Sequence, residues 1–149
     1  MNIEFVWTKK ALPDDAKKVR KAVFVDELDL LYEEVFDSTD RYAENVVMLS
    51  DGKPIGTGRI SVGNRGECLI DNVAVISSFR NKGLGTRLVL EIEKRCLEKG
   101  FDMIYVHSFS RISGFFASLG YKKTGSTYMM DDIACVNMEK TIFVSYGDF

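Results

Sequence analysis

The densest chemistry in the sequence lies in Arg80-Asn81-Lys82-Gly83-Leu84-Gly85-Thr86. Two cations, two glycines and a hydroxyl stand directly before a segment of helical period. The first N–H groups of a helix starting there have no intrahelical partner. With the helix dipole they suit an anionic group such as a phosphate. Gly83 and Gly85 lack a Cβ, so a phosphate can come close to the backbone. Arg80 and Lys82 add charge, and Thr86 adds a donor. A basic helix start after an ordinary loop would use the same residues, so composition alone leaves both readings open. The stretch lacks the G-K-[ST] ending of a Walker loop. It also lacks the third glycine and downstream acid of a dinucleotide fingerprint.

Elements must position this stretch. Glu67–Val75, mostly apolar, reads as a buried strand running into it. Gly83–Lys99 reads as a long helix, with Leu84, Leu88, Ile92 and Cys96 in period and Gly100 closing it. Upstream, Ile3–Thr8 reads as a strand. Leu12 to Asp26 reads as a helix with Pro13 in its first turn and Lys17, Lys18, Arg20 and Lys21 mostly outward. Leu28–Arg41 reads as a short helix and an acidic loop. Asn45–Ser50 and Lys53–Val62 form a hairpin about Asp51-Gly52. Gly56 and Gly58 mark a bend or a close approach within it. Downstream come a strand at Phe101–His107, a helix at Ser110–Leu119, and strands at Tyr121–Tyr128 and Ala134–Ser145. This order mixes hairpins with one β-α-β crossover, which implies an α+β sheet with antiparallel and parallel parts.

The 149 residues fit one domain, and 46% apolar with 28% charged is ordinary globular composition. A net charge of -2 argues against a nucleic-acid binder that relies on bulk positive charge. No run approaches the ~20 apolar residues of a membrane span, and Met1–Lys10 does not read as a secretory signal. Cys68, Cys96 and Cys135 lack framework spacing and read as reduced, buried thiols in a cytoplasmic protein. One histidine and no C-x-x-C pair make a zinc site unexpected, and no metal is expected elsewhere.

Arg80-x-x-Gly83-x-Gly85 after Val73-Ala74-Val75 resembles the acetyl-CoA signature of the GNAT superfamily of N-acetyltransferases. Phe115-Phe116-Ala117-Ser118-Leu119-Gly120-Tyr121 resembles its F-Y-x-x-x-G-F segment. Arg20–Glu27, Phe36–Asp40, Gly56–Ile60 and Met138–Lys140 resemble an ElaA-like bacterial branch. The resemblance covers residues 3–143. It implies a three-layer α/β arrangement in a single domain, residues 1–149. A mixed, mostly antiparallel sheet of six to seven strands would carry one parallel splayed pair and about four flanking helices. It implies acetyl-CoA as cosubstrate, with its pyrophosphate on Arg80, Asn81, Lys82, Gly83, Leu84, Gly85 and Thr86. The pantetheine arm would lie between the splayed strands, paired with backbone groups of Val73 and Val75, with Ser108 and Phe116 also lining it. An N–H near Val75 would polarise the thioester carbonyl, an oxyanion-type role. A primary amine of a small molecule or peptide would then attack directly, without a covalent enzyme intermediate.

Direct attack needs a neutral amine and therefore a base. Asp71, two residues before Val73 and so expected on the same strand face, is the first candidate. Glu27 is a second. His107 reads better as a packed or hydrogen-bonded histidine than as a catalytic one. The tyrosine that often protonates the leaving thiolate in this superfamily is replaced by Phe116, with Tyr121 and Tyr128 as possible substitutes. Cys135 stands where the branch usually has histidine. Glu33, Glu34, Asp37 and Asp40 would favour a cationic acceptor, although most of them read as a solvated acidic loop. Two other readings stay open at this point: an acyl-CoA-binding sensor without catalysis, and an interaction domain without cofactor. A monomer or a homodimer fits equally.

Overall fold

The computed structural model describes residues 1–142. Seven strands form one mixed sheet in the order β1-β2-β3-β4-β5-β7-β6. They are β1 (Ile3–Lys9), β2 (Glu44–Ser50), β3 (Lys53–Val62), β4 (Cys68–Val75), β5 (Met103–Phe109), β6 (Lys122–Met130) and β7 (Ile133–Thr141). Among the described residues β4 and β5 are the one neighbouring pair that runs parallel, and a parallel pair needs a crossover connection, here the helix Leu84–Glu98. The expected continuation of the last strand to Ser145 lies outside the described residues.

Helices cover both faces. α3 (Leu84–Glu98) lays Leu84, Leu88, Val89, Ile92 and Cys96 on Val46, Ile60, Ile70, Ile104 and Val106. Gly58 permits this packing: a Cβ there would meet Ile92 Cδ1 at 2.6 Å. The opposite face is covered by α1 (Asp14–Arg20), its continuation Lys21–Glu27 and the short α2 (Tyr32–Val35), through Val19, Val23, Phe24, Leu30 and Val35. The expected single α-helix from Leu12 to Asp26 is α-helical only to Arg20 and then widens into a π-helical stretch. Such stretches are rare and often sit at functional sites. α4 (Ser113–Ser118) follows a short 3-10 turn and packs Phe116 against the α3 side. Among the described residues no helix is long and apolar enough to cross a membrane.

A second correction concerns Arg20. A cation on a periodic helix reads as outward, yet Arg20 is fully buried. Its guanidinium donates to both oxygens of Asp40 at 2.8 and 2.9 Å, and to Asn45 Oδ1 at 2.8 Å. Asp40 is accordingly buried too, not part of a solvated loop.

Candidate active site

The stretch Arg80–Thr86 takes the conformation its glycines permit. Gly83 is the N-cap of α3 with φ 75, a left-handed conformation that strains other residues. No side chain caps this helix, and Gly83, Gly85 and Thr86 at its start line a cleft together with Asn81. Lys82 Nζ lies 5.1 Å from the centre of the Phe79 ring. Arg80 is spent otherwise: Nε donates to the Val75 carbonyl at 2.8 Å, and Nη1 and Nη2 to Glu27 at 2.6 and 2.7 Å. These hydrogen bonds hold the Glu27 carboxyl below the usual carboxylate range.

The slot follows from register. The β4–β5 ladder ends at Ile70↔Val106, although both strands continue. Ile76 donates its N–H to Ile55 on β3. Backbone groups alternate sides along a strand, so the N–H of Val75 points away from β3, into the slot beside β5. A bulge in β4 accompanies the opening. Thr57 pairs with Ala74 and Arg59 with Asp71, so Asn72 and Val73 together oppose Gly58, and Asn72 has φ 52. The extra residue reverses the alternation. Asp71 therefore shares a face with Ala74, on the α1 side, and not with Val73 as strict alternation predicts. The sequence gives no signal for this bulge beyond the glycine opposite it.

On the α1 face the slot opens into a cavity of about 270 Å³ lined by Phe24, Val35, Asp71, His107, Tyr128 and Cys135 among others. Arg59, almost fully buried, forms its polar wall. Nε and Nη2 each donate to Asp71 at 2.7 Å, and Nη1 donates to Asp37 at 2.8 Å and to Asp40 at 3.4 Å. Burial works to lower the Arg59 pKa, but Asp71 and Asp37 outweigh it and the group stays charged. Sequence reading missed this residue and Arg20, which shares Asp40 with it. A lone arginine in a strand and another on a basic helix carry no local signal.

Burial alone would raise the pKa values of Asp37 and Asp40. Hydrogen bonds from Arg59 to the first and Arg20 to the second reverse this and hold both below the ordinary value of 3.8. Lowered folded-state values contribute stability above the unfolded pKa, and this is lost as pH falls through the folded values. Thermal unfolding should therefore be level from neutrality to about pH 4 and fall below that. Asp40→Asn should lower the plateau and flatten the acid limb.

The other predicted residues separate into those near the slot and those away from it. Asp71, Val73, Ser108 and Phe116 line the cavity. Phe116 also borders the cleft at α3, so it stands between the two. Glu27, Val75 and Arg80 line the stretch that joins them. Tyr121 is not brought to the slot. It is buried, its hydroxyl donates to Glu93 on α3 at 2.7 Å, and burial followed by that carboxylate pushes its pKa far up. Tyr128 does reach the cavity, and burial raises its pKa. His107, expected packed or hydrogen-bonded, is exposed at the cavity mouth. Cys135 is buried with its thiol pKa pushed up by burial, which opposes a thiolate nucleophile.

Residues 12–142 match the family model described as an acetyltransferase (GNAT) domain. YyaT of Bacillus subtilis is 30% identical over 146 residues, spanning 95% of this chain and 97% of that protein. In solved structures the fold is matched by an acyl-CoA N-acyltransferase from Pseudomonas aeruginosa. Its TM-score is 0.83 at 21% identity, covering 94% of this chain and 100% of that one. Escherichia coli ElaA gives 0.83 at 19% identity, covering 93% and 99%. At these identities the structural likeness speaks for the fold alone.

Proposed function

From the premise that the chain belongs to the GNAT acetyltransferase family, we propose that it moves an acetyl group from acetyl-CoA to a primary amine. The observation that carries this reading is the continuity of cleft, slot and cavity. The uncapped start of α3 leads past Val75 and Val73 to the cavity at Asp71. The first turn of α3 suits a diphosphate, because no side chain caps its N–H groups and Gly83 and Gly85 line the cleft beside them. Because Arg80 is paired with Glu27, the backbone N–H groups and Lys82 are the principal phosphate donors. Asn81, Leu84 and Thr86 contribute by position.

The thioester would lie in the slot with its carbonyl toward the Val75 N–H. That donor is fixed before charge develops on the oxygen, which is the condition for oxyanion stabilisation. The amine enters from the α1 face. Its nitrogen bonds to the carbonyl carbon as the C–S bond breaks, and the CoA sulfur leaves and takes up a proton. The amine's own proton passes to Asp71, directly or through one water. Of the two candidate bases, Asp71 and Glu27, Asp71 lines this cavity, and the bulge that turns it to the α1 face puts it on the amine's side. Glu27 instead holds Arg80 in place. Tyr128 reaches the cavity that Tyr121 does not, so it replaces Tyr121 as the candidate donor to the leaving sulfur.

Phe116 and Cys135 favour a second reading, an acyl-CoA sensor that binds without turning over. An amine panel with detection of free CoA thiol separates the two. Amine-dependent thiol release supports the transferase. Tight acetyl-CoA binding with no release from any amine leaves the sensor.

A further inference from the structure

The α1 face of the sheet carries a row of polar side chains that runs across five strands. Arg59 pairs with Asp71 in the β3–β4 ladder, His107 with Asn137 in the β5–β7 ladder, and Asn137 with Thr124 in the β7–β6 ladder. Asp71 and His107 follow the last paired residues of β4 and β5, Ile70 and Val106, so they flank the slot from its two sides. Directly paired residues share a face, so the row continues from the acceptor cavity away from the cofactor. A second cavity, of about 410 Å³, lies over its far half, lined by Arg65, Glu67, Tyr105, His107, Thr124 and Asn137. His107 belongs to both cavities.

Asn137 is the anomaly in this row. Its side-chain oxygen is buried and has no hydrogen-bond partner. A buried polar group left unpaired costs about 1–3 kcal/mol, and such groups in native proteins call for an explanation. No hydrogen bond among the described residues holds the Asn137 side-chain amide in its present sense. Asn137 lines the second cavity, so rotation of its unheld amide can bring the oxygen to a donor seated there. The oxygen accepts only, so what it lacks is a donor.

We propose that the acceptor is an elongated amine with a second nitrogen donor, and that Asn137 receives that donor while the reacting amine lies at Asp71. Two strand spacings, about 10 Å where strands are paired, separate these positions, and the splay of β4 from β5 beyond Ile70 and Val106 widens the gap. The shared chemistry is an N–H group at that distance, either a second ammonium or an amide. Glu67 on the cavity wall suits the first as well. This rests on the transferase reading and adds the acceptor's length and far-end chemistry to it.

The test compares hexylamine, α,ω-diaminohexane and ω-aminohexanamide as acceptors, with acetyl-CoA binding measured separately by calorimetry. The expected result is a kcat/KM at least about tenfold higher for one or both of the two-nitrogen amines than for hexylamine. That corresponds to about 1.4 kcal/mol. Preference for the diamine identifies a second ammonium, and preference for the aminoamide identifies an amide. Asn137→Ala should collapse the ratio to hexylamine toward one, and Asn137→Asp should shift preference toward the diamine. Equal kcat/KM for all three amines, or an unchanged ratio in a folded Asn137→Ala, overturns the inference while leaving the transferase intact. No acetyl-CoA binding and no turnover overturns the transferase reading, and the inference with it.

Discussion

Gly83→Ala and Gly85→Ala should each weaken acetyl-CoA binding at least about tenfold, or 1.4 kcal/mol, while moving stability in opposite directions. Gly83 holds φ 75. Alanine there costs about 1–2 kcal/mol in the left-handed region. Gly85 lies in the first turn of α3, and a Cβ there would touch the Phe115 ring at an ordinary 3.4 Å. Alanine is the better helix former by about 0.8–1 kcal/mol, so Gly85→Ala should hold or raise the melting temperature. Gly83, Gly85 and Phe115 all line the cleft, so a methyl group added at either glycine should crowd a phosphate seated on the N–H groups. Calorimetry with acetyl-CoA, run beside thermal unfolding, separates the two effects. Loss of affinity in the more stable variant cannot be blamed on misfolding. Unchanged affinity in both would place the diphosphate elsewhere.

Arg59→Met should be the most destabilising single change in the acceptor region. Arg59 is almost wholly buried and serves Asp71, Asp37 and Asp40 together. Removing one partner of a buried ion pair costs about 3–5 kcal/mol, because the remaining charges stay buried without compensation. At about 2–4 °C per kcal/mol for a chain near this size, the melting temperature should fall by roughly 6–20 °C. Lys18→Met, at a pair of 3.9 Å on the open surface of α1, should change stability by less than about 0.5 kcal/mol. If the two variants melted alike, the Arg59 network would be ornament to the fold and Asp71 would be held by something else. Activity should fall as well in Arg59→Met, since Asp71 loses the partner that fixes both its oxygens.

Local patterns made much of this legible. The helical period of Leu84, Leu88, Ile92 and Cys96 and the glycine after Lys99 placed α3 to within a residue at each end. The Asp51-Gly52 turn fixed the β2–β3 hairpin, and the strand Lys53–Val62 is as expected. The order of elements gave a mixed sheet, and the motif blocks gave the family. What escaped was non-local. Arg20 looked like one more outward lysine-like position because its partner Asp40 is supplied by a different element. Arg59 looked like an ordinary strand residue because its three carboxylates come from α2's trailing loop and from β4. The bulge at Asn72 turned Asp71 to the other face, since a single inserted residue reverses a two-residue period. Tyr121 matched a motif by type, but its hydroxyl is taken by Glu93 on the α3 side.

The central claim is that the start of α3 grips a diphosphate while the splayed strands take the arm that follows it. A crystal structure with bound CoA tests this most directly. The account predicts phosphate oxygens about 3 Å from the N–H groups between Gly83 and Thr86, and the pantetheine between Val73–Val75 and the end of β5. A nucleotide seated on another surface, with the slot beside Val75 empty, would contradict it.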